Sequence, residues 1–296
     1  MAHREGDGFL EIVELIKAII LGIIQGITEW LPVSSTGHMI LFDSFWPMDA
    51  SQFSGGRAFI DLFLVVIQFG SILAVLVLYF HKLNPFSPKK TPVEKRQTLS
   101  LWGKVLIATI PAGIVGLLFD DLINEYFYNA VVVAIMLIAY GVFFLLVEGR
   151  GRQPKIRAYN QLHGKTLLLI GVFQMLALIP GTSRSGATIL GAVLLGCSRS
   201  VAAEFSFFLA IPTMLGASGI KILKYFNDYG FGFTSTELII LLTGMAVAFL
   251  VSVLVIRLFM GFIKKHDFRP FGWYRIALGA VILVLFFCDV LQVVPQ

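Results

Sequence analysis

Charge is scarce in this chain. Lys, Arg, Asp and Glu together make up 14% of its 296 residues, where a soluble domain carries about 25%. Cysteine is scarcer still. Cys197 and Cys288 stand apart in apolar sequence without CxxC spacing, so they give no redox or metal signal. The N-terminal stretch around Arg4, Glu5 and Asp7 lacks a clear signal-peptide cleavage site and is expected to be retained. Outside the apolar runs, too little sequence remains for a soluble domain.

What the chain has is hydrophobic sequence, 57% of residues, with a mean hydropathy of +0.85. Several runs reach the ~20 residues that cross a hydrocarbon layer. The reading is an all-α integral membrane protein, a single membrane domain over 1–296. The net charge of +5 does not point to nucleic acid, because the basic residues cluster in loops, as orientation in a membrane demands.

Six runs predict full spans: about 59–80, 101–119, 130–147, 201–220, 237–260 and 273–291. The 81–104 loop carries Lys82, Lys89, Lys90, Lys95, Arg96 and Lys104. The 148–165 loop carries Arg150, Arg152, Lys155, Arg157 and Lys165, and 257–275 carries Arg257, Lys264, Lys265, Arg269 and Arg275. By contrast, 120–129 holds Asp120, Asp121 and Glu125 without Lys or Arg and reads as a solvated outer loop. The basic loops belong in the cytoplasm, which puts both termini outside. Two segments remain, 9–41 and 165–196, each an apolar half, a Pro-containing break and a second half too short to span. If either crossed fully, the basic loops would fall on both sides. Both are predicted to be re-entrant hairpins, the first entering from outside and the second from the cytoplasm.

The breaks resemble one another. At a constant offset of 149 residues Gly22 matches Gly171, Gln25 matches Gln174, Ser34 matches Ser183, Gly37 matches Gly186, and Ile40-Leu41 matches Ile189-Leu190. This predicts inverted-topology repeats, about 9–147 and 165–291. Paired, Pro/Gly-interrupted segments in two halves point to a site near the membrane midplane.

In the first tract, Pro32 breaks the incoming helix, and the Ser-Ser-Thr run suits the N-cap of the next. Ser35 and His38, three residues apart, share a helix face, a spacing open to a nucleophile–base pair. Glu29, one turn after Gln25, has three roles open to it: orienting His38, acting as general base, or holding a divalent cation with Gln25 as a weak second ligand. In the second tract, Pro180-Gly-Thr-Ser183-Arg184-Ser185-Gly186 has anion-binding character: small residues expose N–H groups at a helix start, and Arg184 offers a fork matching phosphate oxygens. Ser183, Ser185 and Thr188 add hydroxyl donors, and Ser34 is counted with them. The alternative for Arg184 is a structural pair with Glu29 or Glu204. Gln68, Gln174 and Glu204 read as interhelical partners for buried polar groups.

These tracts resemble the signatures of a known family. Gln25-x-x-x-Glu29 followed by Leu-Pro-Val-Ser-Ser-Thr-Gly-His is similar to its first, and Pro180-Gly-x-Ser-Arg-Ser-Gly-Ala-Thr to its second. Val66-Ile-Gln-Phe-Gly-Ser-Ile-Leu-Ala74, Ile110-Pro-Ala112 and Ala203-Glu-Phe-Ser-Phe207 are also similar. The family is undecaprenyl-diphosphate phosphatase of the bacitracin-resistance (BacA/UppP) type, and the likeness runs from about residue 10 to 285. The resemblance implies an enzyme of the bacterial plasma membrane that hydrolyses undecaprenyl diphosphate, recycling the lipid carrier of cell-wall synthesis. It further implies dependence on Mg2+ or Ca2+, an active site open to the outer face and a homodimer. It gives Ser35 as nucleophile or direct phosphate ligand, His38 as its acid/base partner, Glu29 as supporting acid or cation ligand, Arg184 as phosphate clamp, and Ser183 and Thr188 as further phosphate contacts. A glutamine at 25, where that signature allows Glu or Gln, weakens schemes needing two carboxylates for a metal. The rival reading is a transporter or flippase for a polyprenyl phosphate, since broken-helix repeats are also a transporter architecture.

Overall fold

The computed structural model of the chain describes residues 2–151, 153–230 and 232–291. Among them the fold is all helical, apart from one isolated bridge between Ile156 and Cys197. In chain order the helices are α1 (Ala2–Thr28), α2 (Ser35–Phe45), α3 (Arg57–Leu78), α4 (Phe80–Leu83), α5 (Pro92–Phe127), α6 (Ala130–Gly149), α7 (Gly164–Leu176), α8 (Arg184–Leu194), α9 (Arg199–Tyr229), α10 (Ser235–Ile263) and α11 (Arg269–Phe287). Six of these, α3, α5, α6, α9, α10 and α11, are long and apolar enough to cross a membrane. They coincide with the six predicted spans. Their outward faces carry Leu106, Ile110, Leu117, Leu118, Leu250 and Leu254, all exposed. Apolar surface on this scale on a soluble monomer would mark an interface; on helices of this length it suits contact with acyl chains.

Local chemistry sets the helix ends. Asn129 caps α6 through Val132 N–H, Ser198 caps α9 through Val201 N–H, and Thr234 forms a capping box with Glu237 at the start of α10. Two sequence expectations are corrected. The acidic 120–129 segment is not a loop up to its end: α5 continues through it to Phe127, because no residue there breaks the 3.6-residue pattern. Arg275 is not a loop charge either. It lies well inside α11 and is fully buried.

The helices pack in a recurring scheme. α1 lies along α10 and α7 along α5; α6 pairs with α11, and α3 with α9 and α10. Glycine allows the first two contacts. A Cβ on Gly22 would stand 2.8 Å from Gly244 O in α10, and one on Gly171 would stand 2.4 Å from Ala108 O in α5. Close approach of this kind requires small residues at helix interfaces in an apolar medium. The core sits where these layers meet, with Trp30, Phe59, Phe63, Phe144, Phe207 and Phe208 fully buried.

Gly171→Ala tests the approach. Its added carbon forces α7 off α5, and overpacking of this kind costs about 1–3 kcal/mol. A clear fall in thermal unfolding midpoint in detergent is expected, whereas Gly261→Ala, with open space around it, leaves the midpoint unchanged or slightly raised. Equal midpoints for the two variants would show that α5 and α7 are not in close contact.

Candidate active site

Two breaks in the helical chain, 29–34 and 177–183, supply the site. In the first, α1 makes its last helical bond from Glu29 N to Gln25 O at 3.1 Å, and Pro32 has no N–H to continue it. The chain turns through Ser34, which has φ +73°, and restarts as α2 with Ser34 Oγ accepting from Gly37 N at 3.4 Å. The second break repeats this. Pro180 interrupts, Ser183 has φ +70°, and its Oγ accepts from Gly186 N at 3.1 Å to start α8. Besides Asp289, these two serines are the only non-glycine residues with positive φ among the described residues. Such a turn costs on the order of 1–3 kcal/mol unless its surroundings hold it.

The tips meet. Arg184 Nη2 donates to Glu29 Oε1 at 3.0 Å, and Ser185 Oγ donates to Leu31 O at 3.2 Å. The guanidinium of Arg184 stands 5.8 Å from the Trp30 ring, and Trp30 packs edge-on against Phe207. Arg275 ties the two breaks together from α11. Its Nη2 donates to Gly181 O and Thr182 O, both at 2.9 Å, and its Nη1 to Pro32 O at 3.2 Å. Longer bonds run to Leu137 O and Met136 O in α6. No carboxylate lies within ion-pair distance of this side chain among the described residues.

Around that junction the predicted residues divide. Glu29 is central: Oε1 takes Arg184, while Oε2 accepts from Gln25 Nε2 at 3.0 Å and from Ser35 Oγ at 3.5 Å. Of the two readings of Arg184, the pair with Glu29 is the one the geometry displays; the paired guanidinium also gives Nη1 to Ser206 O at 2.7 Å and leaves Nε buried without a partner. His38 makes no bond to Ser35. Its Nδ1 faces Ser34 O at 2.7 Å and its Nε2 faces Tyr274 Oη at 2.7 Å. A carbonyl only accepts, so Nδ1 carries a proton, and in neutral His38 Nε2 accepts from the Tyr274 hydroxyl. Ser185 and Thr188 are buried and turned inward, Thr188 to Arg184 O and to Ser206 Oγ. Ser183 Oγ lies 3.2 Å from Ser185 Oγ. Gln174 donates to Thr213 Oγ1 at 3.1 Å, an interhelical bond as expected. Glu204 likewise partners Lys82.

A cavity of about 240 Å³ opens beside the first tip. Gln25 and Ser35 line it, facing Asp61 and Gln68 of α3, Lys221 of α9 and Tyr128. Gln68 thus stands on the cavity wall, not only between helices. Sequence reasoning missed Asp61, Lys221, Tyr274 and Arg275. Asp61 and Arg275, acid and base inside predicted apolar spans, were the available signal.

The family model for bacitracin resistance protein BacA matches residues 18–281. Undecaprenyl-diphosphatase 1 of Clostridioides difficile is 60% identical over 276 residues, covering 93% of this chain and 97% of that protein. The undecaprenyl-diphosphatase of Acetivibrio thermocellus is 57% identical over 277 residues, covering 93% and 98%. That of Enterococcus faecalis is 56% identical over 271 residues, covering 91% and 96%.

Arg275→Met keeps the apolar stem and removes the donors. The Pro32, Gly181 and Thr182 carbonyls then lack their partner, and each unsatisfied buried group costs about 1–3 kcal/mol. A large drop in unfolding midpoint is expected. Arg275→Lys recovers only part of it, because one ammonium does not span both tips. Arg57→Met, at a half-exposed pair 3.7–3.8 Å from Asp61 and Asp43, serves as the comparison and shifts the midpoint little. A stable Arg275→Met protein would remove Arg275 from the junction.

Proposed function

The chain belongs to the bacitracin resistance protein BacA family, and from that membership and the meeting of its two tips we propose that it hydrolyses undecaprenyl diphosphate to undecaprenyl phosphate and inorganic phosphate. The observation that carries the proposal is the contact of Ser35, Glu29 and Arg184 at one buried junction beside a cavity. Phosphoryl transfer needs little covalent help from a protein beyond positioning and charge neutralisation. Here Arg184 offers a guanidinium to the oxygens of the terminal phosphate. Ser35 Oγ attacks its phosphorus in line, and Glu29 accepts the serine proton. The anhydride bond breaks and undecaprenyl phosphate leaves with the bonding electrons; water then releases phosphate from the serine. The leaving phosphate is a good anion, with a second pKa near 6 for such monoesters, so no general acid is required. The bond from His38 Nδ1 to Ser34 O supports a positioning role for His38: it braces the left-handed turn from which Ser35 projects.

The re-entrant, inverted-repeat architecture is part of this reading. α2 and α8 have 11 residues each, about 16 Å of helix, against a hydrocarbon core of ~30 Å. The packing supports an internal two-fold relation, since α1 on α10 corresponds to α7 on α5, each through the matched glycines Gly22 and Gly171. The cavity includes Tyr128, next to the acidic end of α5, while the basic segments lie at the opposite helix ends. The charge bias then supports a cavity on the outer side of the bacterial plasma membrane, with both termini outside. A homodimer rests on the family resemblance alone. The transporter reading is not favoured: moving a lipid phosphate needs an anion site, but not a hydroxyl held against a carboxylate.

A divalent cation also belongs to the proposal. Among the described residues no three His, Cys, Asp or Glu side chains come together. Glu29 is engaged with Arg184 and Ser35, and Gln25 gives its amide N–H to Glu29. Asp61 Oδ1, in a residue on the cavity wall, makes no hydrogen bond and has only the ion pair with Arg57 Nε at 3.7 Å. Asp61 together with diphosphate oxygens suits Mg2+ or Ca2+, which are oxygen-bound and keep waters. Bound there, the ion would neutralise the diphosphate.

Two measurements test this. Phosphate release from a C15 or C55 diphosphate in detergent is expected to fall about a hundredfold or more in Ser35→Ala, Glu29→Gln and Arg184→Lys, the size of effect that loss of a transition-state contact brings. If the unaltered protein leaves the diphosphate intact with Mg2+ or Ca2+ present, the hydrolase reading fails. Excess chelator is expected to stop turnover, and Asp61→Asn to raise the cation concentration that restores it; full turnover in chelator would remove the cation from the scheme.

A further inference from the structure

A second basic cavity lies at the other end of α3 from Ser35. α3 has 22 residues, about 33 Å of helix. Asp61 near its start and Gln68 near its middle face the catalytic cavity, whereas Lys82 lies beyond its last turn. There a pocket of about 570 Å³ is lined by His81, Lys82, Lys90, Glu94, Lys104 and Tyr159, among others. Its charges are unevenly matched. Lys82 Nζ is 2.6 Å from Glu204 Oε2, which also accepts from the Tyr159 hydroxyl. Burial, then the Glu204 carboxylate, push the Tyr159 phenol above its ordinary value, so it stays a donor. Lys90 is 9% exposed, and its Nζ donates only to Thr98 Oγ1 at 2.6 Å and Lys82 O at 3.4 Å. Lys104 Nζ donates to Tyr159 O at 2.5 Å. Neither lysine has a carboxylate within ion-pair distance among the described residues. The one rim acid, Glu94, accepts from Thr91 N and Thr91 Oγ1 at the start of α5.

A desolvated ammonium with only neutral oxygens around it is costly, and the cost is relieved by an anion. One buried ammonium, Lys90, and one partly buried, Lys104, lining a single pocket large enough for a head group, ask for a compact, multiply bonded anion. We propose that this pocket binds a phosphate group, carried by an anionic membrane phospholipid or free in solution, at a site separate from the catalytic junction. Basic pockets between membrane helices are suited to phosphate head groups, and lysine meets phosphate as a point charge. The proposal does not depend on the hydrolase reading.

The test uses the purified full-length chain in a neutral detergent. Binding of inorganic phosphate and of short-chain phosphatidylglycerol is measured by calorimetry, with short-chain phosphatidylcholine as zwitterionic control. The unaltered chain is expected to show a binding step that Lys90→Gln/Lys104→Gln loses or weakens, by about fivefold for each lysine removed. Lys90→Arg is expected to keep it. Loss of a step for phosphate as well as phosphatidylglycerol assigns the pocket to the free anion; loss for phosphatidylglycerol alone assigns it to lipid. If the double variant does not fold, Lys104→Gln alone carries the test, with about a fivefold loss expected. Isotherms identical to those of the unaltered chain would overturn the proposal. So would an equal loss in Lys264→Gln/Lys265→Gln, outside this pocket, because the effect would then belong to general surface charge.

Discussion

The rest of the structure depends on how two stretches of non-helical backbone are satisfied inside an apolar protein. Helices meet their own hydrogen bonds; the breaks at 29–34 and 177–183 do so only in part, through turn bonds such as Val33 N to Leu31 O and Thr182 N to Ile179 O, and in lipid no water compensates the rest. Arg275 takes up part of that remainder. Its donors reach carbonyls of Pro32, Gly181 and Thr182 from a position buried in α11. Ser185 closes a further bond to Leu31 O. Because one guanidinium holds both breaks, the tips are fixed relative to each other, and so are the side chains that project from them. The two left-handed serines persist because this network over-determines them.

The tips are alike in backbone and unlike in chemistry. At the same 149-residue offset, Ser35 corresponds to Arg184, Glu29 to Leu178 and His38 to Ala187. Each of Ser35 and Arg184 is the first residue of a short helix begun by a serine cap. Both therefore stand where unpaired N–H groups and the helix dipole favour negative charge. One break puts a hydroxyl there and the other a guanidinium. Under the proposed reaction a phosphate between them would meet an attacking oxygen on one side and a charge partner on the other. Two turns so alike in backbone offer that complementarity only because they differ at these positions.

Much of this was legible in the chain. The spans were, because length and hydropathy alone decide them. The tips were, because Pro, Ser and Gly have few other uses inside apolar sequence. The partners of Ser35 and His38 were not. A three-residue spacing puts two side chains on one helix face, but it does not decide which neighbour each meets. Ser35 stands at the first position after a left-handed residue and turns to Glu29, six residues back, while the His38 ring is taken by Tyr274 from α11, 236 residues away. Arg275 was hidden for a different reason. It fell both in the basic 257–275 segment, with Arg257, Lys264, Lys265 and Arg269, and at the edge of the predicted span 273–291, and only the start of α11 at Arg269 decides for the inside. Long-range partners of this kind leave no local periodicity to read.

The ion pair at the junction has an energetic logic of its own. The side chains of Arg184 and Glu29 are 12% and 8% exposed. A pair so buried contributes little net stability, because desolvation offsets most of the attraction, yet removing one partner strands the other. Stability alone is thus a poor reason for it. What the pair does is hold a carboxylate and a guanidinium in fixed positions at the junction, each balancing the charge of the other. Arg184 Nε is left without a partner, so the guanidinium retains a donor while its charge is balanced. Under the proposed reaction an arriving phosphate would compete with Glu29 for that charge and, to the extent that it succeeded, would release the carboxylate toward Ser35. The binding of the anion and the readying of the base would then be one event.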